Sequence, residues 1–208
     1  MCGRYRRTTR EEELARIYHI PIPAQSDLPI SYNIAPNQPV LAIRFNPDTK
    51  ERSLDTLLWG LVPYWSKDDK TGFINARAER IDTAPAFRRP FQKRRCLIPA
   101  DGFYEWKKTP EGKIPYSIEM KDGAPFAFAG LWDGWQNPNT KEWLRTFHRA
   151  IVNVVEVGSL RASLVSFSRT RQAESVFLWH TKLFSWDRSG STFGGNFAFF
   201  VLIEIGGG

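Results

Sequence analysis

The chain is poor in the residues that build metal and disulfide scaffolds: its 208 residues hold two cysteines and three histidines. Cys2 and Cys96 alone make no disulfide framework. With no Cys-x-x-Cys and no paired histidines, no structural zinc or other metal is expected. No glycine pattern suited to a nucleotide's phosphates occurs, so no nucleotide or other cofactor is implied. No apolar run approaches the ~20 residues needed to span a bilayer, which argues against a membrane role. The opening Met-Cys-Gly-Arg-Tyr-Arg-Arg carries charge without the apolar stretch of a secretory signal. A cytoplasmic, nucleoid-associated monomer is expected. Neither an internal repeat nor a low-complexity segment divides the chain, so residues 1–208 are read as a single domain.

What is present is an ordinary globular mixture, 42% hydrophobic and 25% charged, with a net charge of +7. The charge is uneven. Residues 77–113 carry ten Lys/Arg against five acids. Such a stretch suits an anionic partner, but a solvated loop surface explains it equally well.

Local patterns give the architecture. Thr9-Arg10-Glu11-Glu12 fits a capping box, and Leu14, Ile17 and Tyr18 form one apolar face, so a helix over about 10–18 is expected. Pro21 and Pro23 should end it. Residues 21–38 are rich in Pro, Ser and Asn and read as a long structured loop. Val40–Phe45 and Leu54–Leu61 read as a hairpin about Asn46-Pro47-Asp48. Four further strands are expected at Arg95–Pro99, Phe103–Lys108, Ile114–Met120 and Pro125–Trp132, and Leu144–Val157 as a strand pair or one long strand. The fold class is therefore α+β, dominated by an antiparallel, barrel-like sheet with a few flanking helices.

Cys2 carries the most distinctive chemistry. Aminopeptidases usually remove Met1 when the second residue is small, which would leave Cys2 as the N-terminus. Its α-amine, with an ordinary pKa of roughly 7.7 to 8, is partly neutral near neutral pH. Its thiol titrates at about 8.5. A 1,2-aminothiol of this kind condenses with an aldehyde: the amine forms a Schiff base and the thiolate closes a five-membered thiazolidine. Taken alone, Cys2 reads first as an ordinary small residue in a packed N-terminal strand.

Five blocks in order change that reading. Met-Cys-Gly-Arg-Tyr opens the chain. It is followed by Tyr32-Asn33-Ile34-Ala35-Pro36-Asn37 and Trp59-Gly60-Leu61-Val62-Pro63-Tyr64-Trp65. Asn75-Ala76-Arg77-Ala78-Glu79 comes next, then Phe87-Arg88 with Cys96 to Trp106. Over about residues 1–135 the sequence resembles the SRAP family, the SOS response-associated peptidases or abasic-site processing proteins. The resemblance implies a β-rich α+β fold and a covalent DNA–protein crosslink at abasic sites in single-stranded DNA. It also implies the replication machinery as a further partner. Catalytic roles pass to Cys2 as nucleophile and to Asn75 and Glu105 as active-site polar groups. DNA contacts pass to Arg4, Arg77 and Arg88 on phosphates. Trp65 and Trp106, with Tyr64, can stack on bases without sequence preference, or can equally be core. Glu105 lies between Tyr104 and Trp106, where partial burial would raise its pKa.

The pattern departs from the family after about residue 147. The family's late histidine, in a run like I-H-x-R-M-P, is missing; neither His180-Thr181-Lys182 nor Phe147-His148-Arg149 reproduces it. Either His180 takes that role or the last ~60 residues are out of frame. Two other functions remain open. One is a non-catalytic single-stranded DNA-binding module, recognisable by reversible, salt-sensitive binding. The other is an autocatalytic cysteine peptidase acting on the segment before Cys2.

Overall fold

The computed structural model describes residues 3–21, 28–46, 48–70, 72–77, 81–120, 122–151, 155–157 and 160–162. In order, the elements are β1 (Arg4–Arg7), α1 (Glu11–Tyr18), β2 (Ser31–Ile34), β3 (Pro39–Asn46), β4 (Glu51–Trp59) and β5 (Asn75–Arg77). Then come α2 (Pro85–Lys93), β6 (Arg95–Ala100), β7 (Gly102–Thr109), β8 (Gly112–Ile118), β9 (Phe126–Gln136) and β10 (Trp143–Ile151). A short pair, β11 (Val155–Val157) and β12 (Leu160–Ala162), follows.

Two sheets organise the chain. The smaller is antiparallel, in the order β2-β1-β7-β8. The larger runs β4-β3-β6-β9-β10-β5. Because β10 also pairs in parallel with β4, its first five strands close into a barrel. The barrel-like α+β class expected from the sequence is therefore the one observed.

The closing strand explains how one edge is shared. β10 meets β4 at Thr146 and Phe147, opposite Leu58 and Trp59, and meets β5 from Arg149 onward, opposite Asn75. The chain thus leaves the barrel at Trp59, makes an excursion through residues 60–74, and returns along the same edge. Gly60 starts the excursion with φ of 138°, a conformation side chains rarely adopt, while its N–H donates to the Phe147 carbonyl at 2.8 Å.

An aromatic cluster fills the space between the sheets. Tyr5, Trp59, Phe103, Phe126, Phe128 and Phe147 are all buried there, and most meet edge to face. Strand β6 is buried on both faces: Cys96, Ile98 and Ala100 join this cluster, while Leu97 packs beneath α1 with Ala15, Ile20 and Ile43. That two-sided burial explains its nearly continuous apolar sequence.

Three local expectations are corrected. Helix α1 forms where expected, but Arg10 is its N-cap with no side-chain cap. The Thr9 hydroxyl instead bonds the buried Asp101 carboxylate, which also accepts the N–H groups of Thr8 (2.6 Å) and Thr9 (2.9 Å). The helix ends in a left-handed His19, before Pro21. The 21–38 loop contains strand β2, because β1 offers it an edge. Within the basic stretch lies α2, whose buried residues are Phe87, packed with Leu61, Ala76, Ile81 and Leu131, and Pro90, leaving Arg88, Arg89 and Lys93 outward.

Candidate active site

The second sequence block forms a turn that joins three elements. Asn37 adopts the left-handed region, and its N–H donates to the Trp59 carbonyl at 2.8 Å, while Trp59 N–H donates to Gln38. Tyr104 Oη donates to the Tyr32 carbonyl at 2.7 Å, and Arg4 Nη1 to Asn33 Oδ1 at 2.9 Å. Blocks that are distant in sequence are thus fastened to β1, β4 and β7.

Asn75 is held at the start of β5. The carbonyl just before it, on Ile74, accepts the Trp59 indole N–H at 2.9 Å and the Arg149 N–H at 3.2 Å. That double clamp ties Asn75 to Trp59 and to its register partner Arg149.

Arg149 was not singled out from the sequence, yet it lies at the centre. It is 2% exposed. Its guanidinium carbon sits 4.1 Å from the Trp59 ring, 4.7 Å from Phe128 and 5.8 Å from Tyr5. Three rings around one buried cation make a cation–π cage. The available signal was a charged residue two places after an apolar Phe147 on a strand, so that both share a face.

Glu105 approaches from the other sheet. On β7, Phe103 and Glu105 share the inward face, at 1% and 7% exposure, while Trp106 points out. Burial raises the Glu105 carboxyl above the ordinary carboxylate range; the N-terminal charge, the Arg149 charge and the Trp106 N–H pull it partly back. Arg149 therefore links Asn75, by strand register, with Glu105, by charge. A buried carboxyl shifted upward beside a fixed cation can exchange protons closer to neutral pH than an exposed one.

The register of β1 fixes the direction of the chain's start. Arg4 pairs with Tyr104, Tyr5 with Phe103 and Arg6 with Gly102. Extending that ladder brings Gly3 alongside Glu105. Cys2 lies outside the described residues, as does His180. His148 faces the opposite way from Arg149, buried against Phe87 at 4.5 Å between ring centres, and does not line this site.

Aromatic side chains stand at the surface. Trp65 is 56% exposed and Trp106 41%, with Tyr32 and Tyr64 also exposed. The Arg89 guanidinium lies 4.3 Å over the Tyr64 ring, joining α2 to the 60–74 excursion. Arg88 is exposed on the outer side of α2, and Arg77 is the last residue of β5. Among the described residues, no cluster of His, Cys, Asp or Glu could hold a metal ion.

The family model described as SOS response associated peptidase (SRAP) matches residues 1–155. This chain belongs to the SRAP family. It is 44% identical over 143 residues to the abasic site processing protein YoqW of Bacillus subtilis, covering 66% of this chain and 62% of that protein. It is 35% identical over 138 residues to YedK of Escherichia coli (63% and 59%), and 31% over 156 residues to HMCES of Gallus gallus (61% and 46%), both named abasic site processing proteins. The chain thus spans about three fifths of the length of the SRAP relatives from Bacillus. Its fold is similar to a crystal structure of a protein from Bacteroides thetaiotaomicron, with a TM-score of 0.70 at 26% identity over 85% of this chain and 81% of that one.

Proposed function

We propose that this SRAP-family chain processes abasic sites in single-stranded DNA by forming a covalent crosslink through Cys2. The observation that carries the reading is the register of β1 on β7, which runs the start of the chain toward Glu105. The relatives named as abasic site processing proteins support the abasic site as the target.

The chemistry follows from the groups available. A ring-opened abasic sugar exposes an aldehyde at C1′. With Met1 removed, the neutral Cys2 α-amine adds to that carbon, and loss of one water leaves an imine. The Cys2 thiolate then adds to the imine carbon and the imine nitrogen takes a proton, closing the thiazolidine. Glu105 takes the proton released by the amine and returns it to the departing hydroxyl. Asn75 orients the amine or the sugar without adding charge. Arg4, Arg77 and Arg88 neutralise backbone phosphates, and Trp65 and Trp106 stack on the flanking bases.

The test is a denaturing gel of the processed protein mixed with single-stranded DNA bearing one abasic site, beside intact DNA and the Cys2→Ala variant. A denaturant-resistant adduct with wild type alone, and on the abasic strand alone, is expected. An adduct retained by Cys2→Ala would remove Cys2 as the nucleophile. Salt-sensitive binding with no adduct would favour a non-catalytic DNA-binding module.

A further inference from the structure

We propose that Arg149 is a positioning residue of this site: a fixed, caged cation that keeps Glu105 ionised and so able to accept a proton. The inference rests on the reading of Glu105 as the proton acceptor.

The geometry makes the charge permanent and immobile. A guanidinium stays protonated at every physiological pH, so its charge does not switch off. Trp59, Phe128 and Tyr5 confine it on three sides, at 4.1, 4.7 and 5.8 Å. The backbone of Arg149 is pinned as well, with its N–H on the Ile74 carbonyl and its strand in register with Asn75. At 2% exposure it cannot reach a DNA phosphate in solvent, so it differs in kind from Arg4 and Arg88. Its charge is directed inward.

The same inner space holds Glu105. Phe128 touches both the Arg149 guanidinium and Phe103, whose ring shares the inward face of β7 with Glu105. Left to burial alone, a carboxyl can be pushed up by several units and would then be protonated and useless as a base. A cation inside the same low-dielectric space opposes that shift far more effectively than one at the surface. Of the other titratable groups around Glu105, the N-terminal charge also draws the carboxyl down. Tyr5 on β1 is driven further above its ordinary value by burial and stays neutral, and Tyr116 on β8 is the cross-strand partner of Glu105. Under the proposed reaction, the Cys2 α-amine must itself lose its charge to react.

The experiment is a carbon-13 NMR titration of glutamate side-chain carboxyls in the full chain, with the Glu105 signal assigned by its loss in Glu105→Gln. Arg149→Met removes the charge and keeps a long side chain against the rings. The Glu105 midpoint is expected to rise by at least about one unit, a tenfold change in proton affinity. In the crosslinking assay, the acidic limb of the rate profile should move up by the same amount. An unmoved midpoint in folded Arg149→Met overturns the proposal. If Arg149→Met folds poorly, Arg149→Lys decides. It retains the charge, so the midpoint should stay near wild type, and a rise there as large as that expected of Met would assign the effect to packing and overturn the proposal. A midpoint shift in a protein that never crosslinks abasic DNA would uphold the Arg149–Glu105 coupling and defeat the functional reading instead.

Discussion

His148 and Arg149 are neighbours in sequence and opposites in the fold. Successive residues of a strand face opposite ways, so Arg149 enters the space between the sheets while His148 enters the apolar layer under α2. Burial lowers the His148 pKa from 6.5 to about 4, only partly opposed by its contact with the Arg149 carbonyl. The sign of the linkage follows. Below its unfolded pKa the unfolded chain takes up a proton that the folded chain refuses, so stability falls as pH drops from 6.5 toward about 4. At pH ~5 this one group should cost about 2 kcal/mol relative to pH ~7. Denaturant titrations at the two pH values should show that loss in wild type and a smaller one in His148→Leu. Equal losses would mean His148 is protonated in place. Glu105 offers a complementary residue-scale test. Glu105→Gln should lower the crosslinking rate by about 10²–10⁴ while leaving intact-DNA binding unchanged, as measured by single-turnover gels and anisotropy.

At the scale of elements, the site depends on how the 60–74 excursion is anchored. Asp133, 1% exposed on β9, pairs with Arg94 at the end of α2 and accepts the Tyr64 N–H at 3.3 Å. One carboxylate therefore joins α2, β9 and the segment that carries Trp65. Asp133→Ala leaves Arg94 and the Tyr64 N–H without that acceptor, and should cost about 3–5 kcal/mol in chemical denaturation. A loss under about 1 kcal/mol would mean solvent replaces the carboxylate easily. The strands around this anchor were legible in sequence because alternation and turn residues such as Asp101-Gly102 and Asp122-Gly123 punctuate them. The helix α2 was not, because Pro90 sits inside it and its arginines mask a face built from Phe87 and Pro90. Strand β2 was hidden for another reason: its short Ser31–Ile34 run becomes a strand only because β1 lies beside it. Asn75 and Glu105 could be named from motif resemblance. Arg149 could not, since its cage is built by three rings on three different strands.

Across the described residues, Arg88, Arg89 and the exposed aromatics Trp65 and Tyr64 stand at the outer surface, while Arg149, caged by three rings, lies within. Under the proposed function, surface charge and exposed aromatics make two separable contributions to DNA affinity. Phosphate contacts release counterions and set the salt slope, whereas stacking on aromatics does not. Arg88, exposed on α2, and Trp65, more than half exposed on the excursion, allow the separation without disturbing the core. With intact single-stranded DNA, titrated by anisotropy between about 50 and 200 mM salt, Arg88→Ala should reduce the slope of log K against log salt by about 0.7. Trp65→Ala should instead weaken binding by about 1–3 kcal/mol at every salt concentration, leaving the slope unchanged. Neither change touches Glu105, Asn75 or Arg149, so at saturating DNA both variants should crosslink an abasic strand at the wild-type rate. A slope that is unchanged in Arg88→Ala would move the phosphate path off α2. A slope that falls in Trp65→Ala would mean that its loss also displaces the neighbouring cations, beginning with Arg89 on Tyr64.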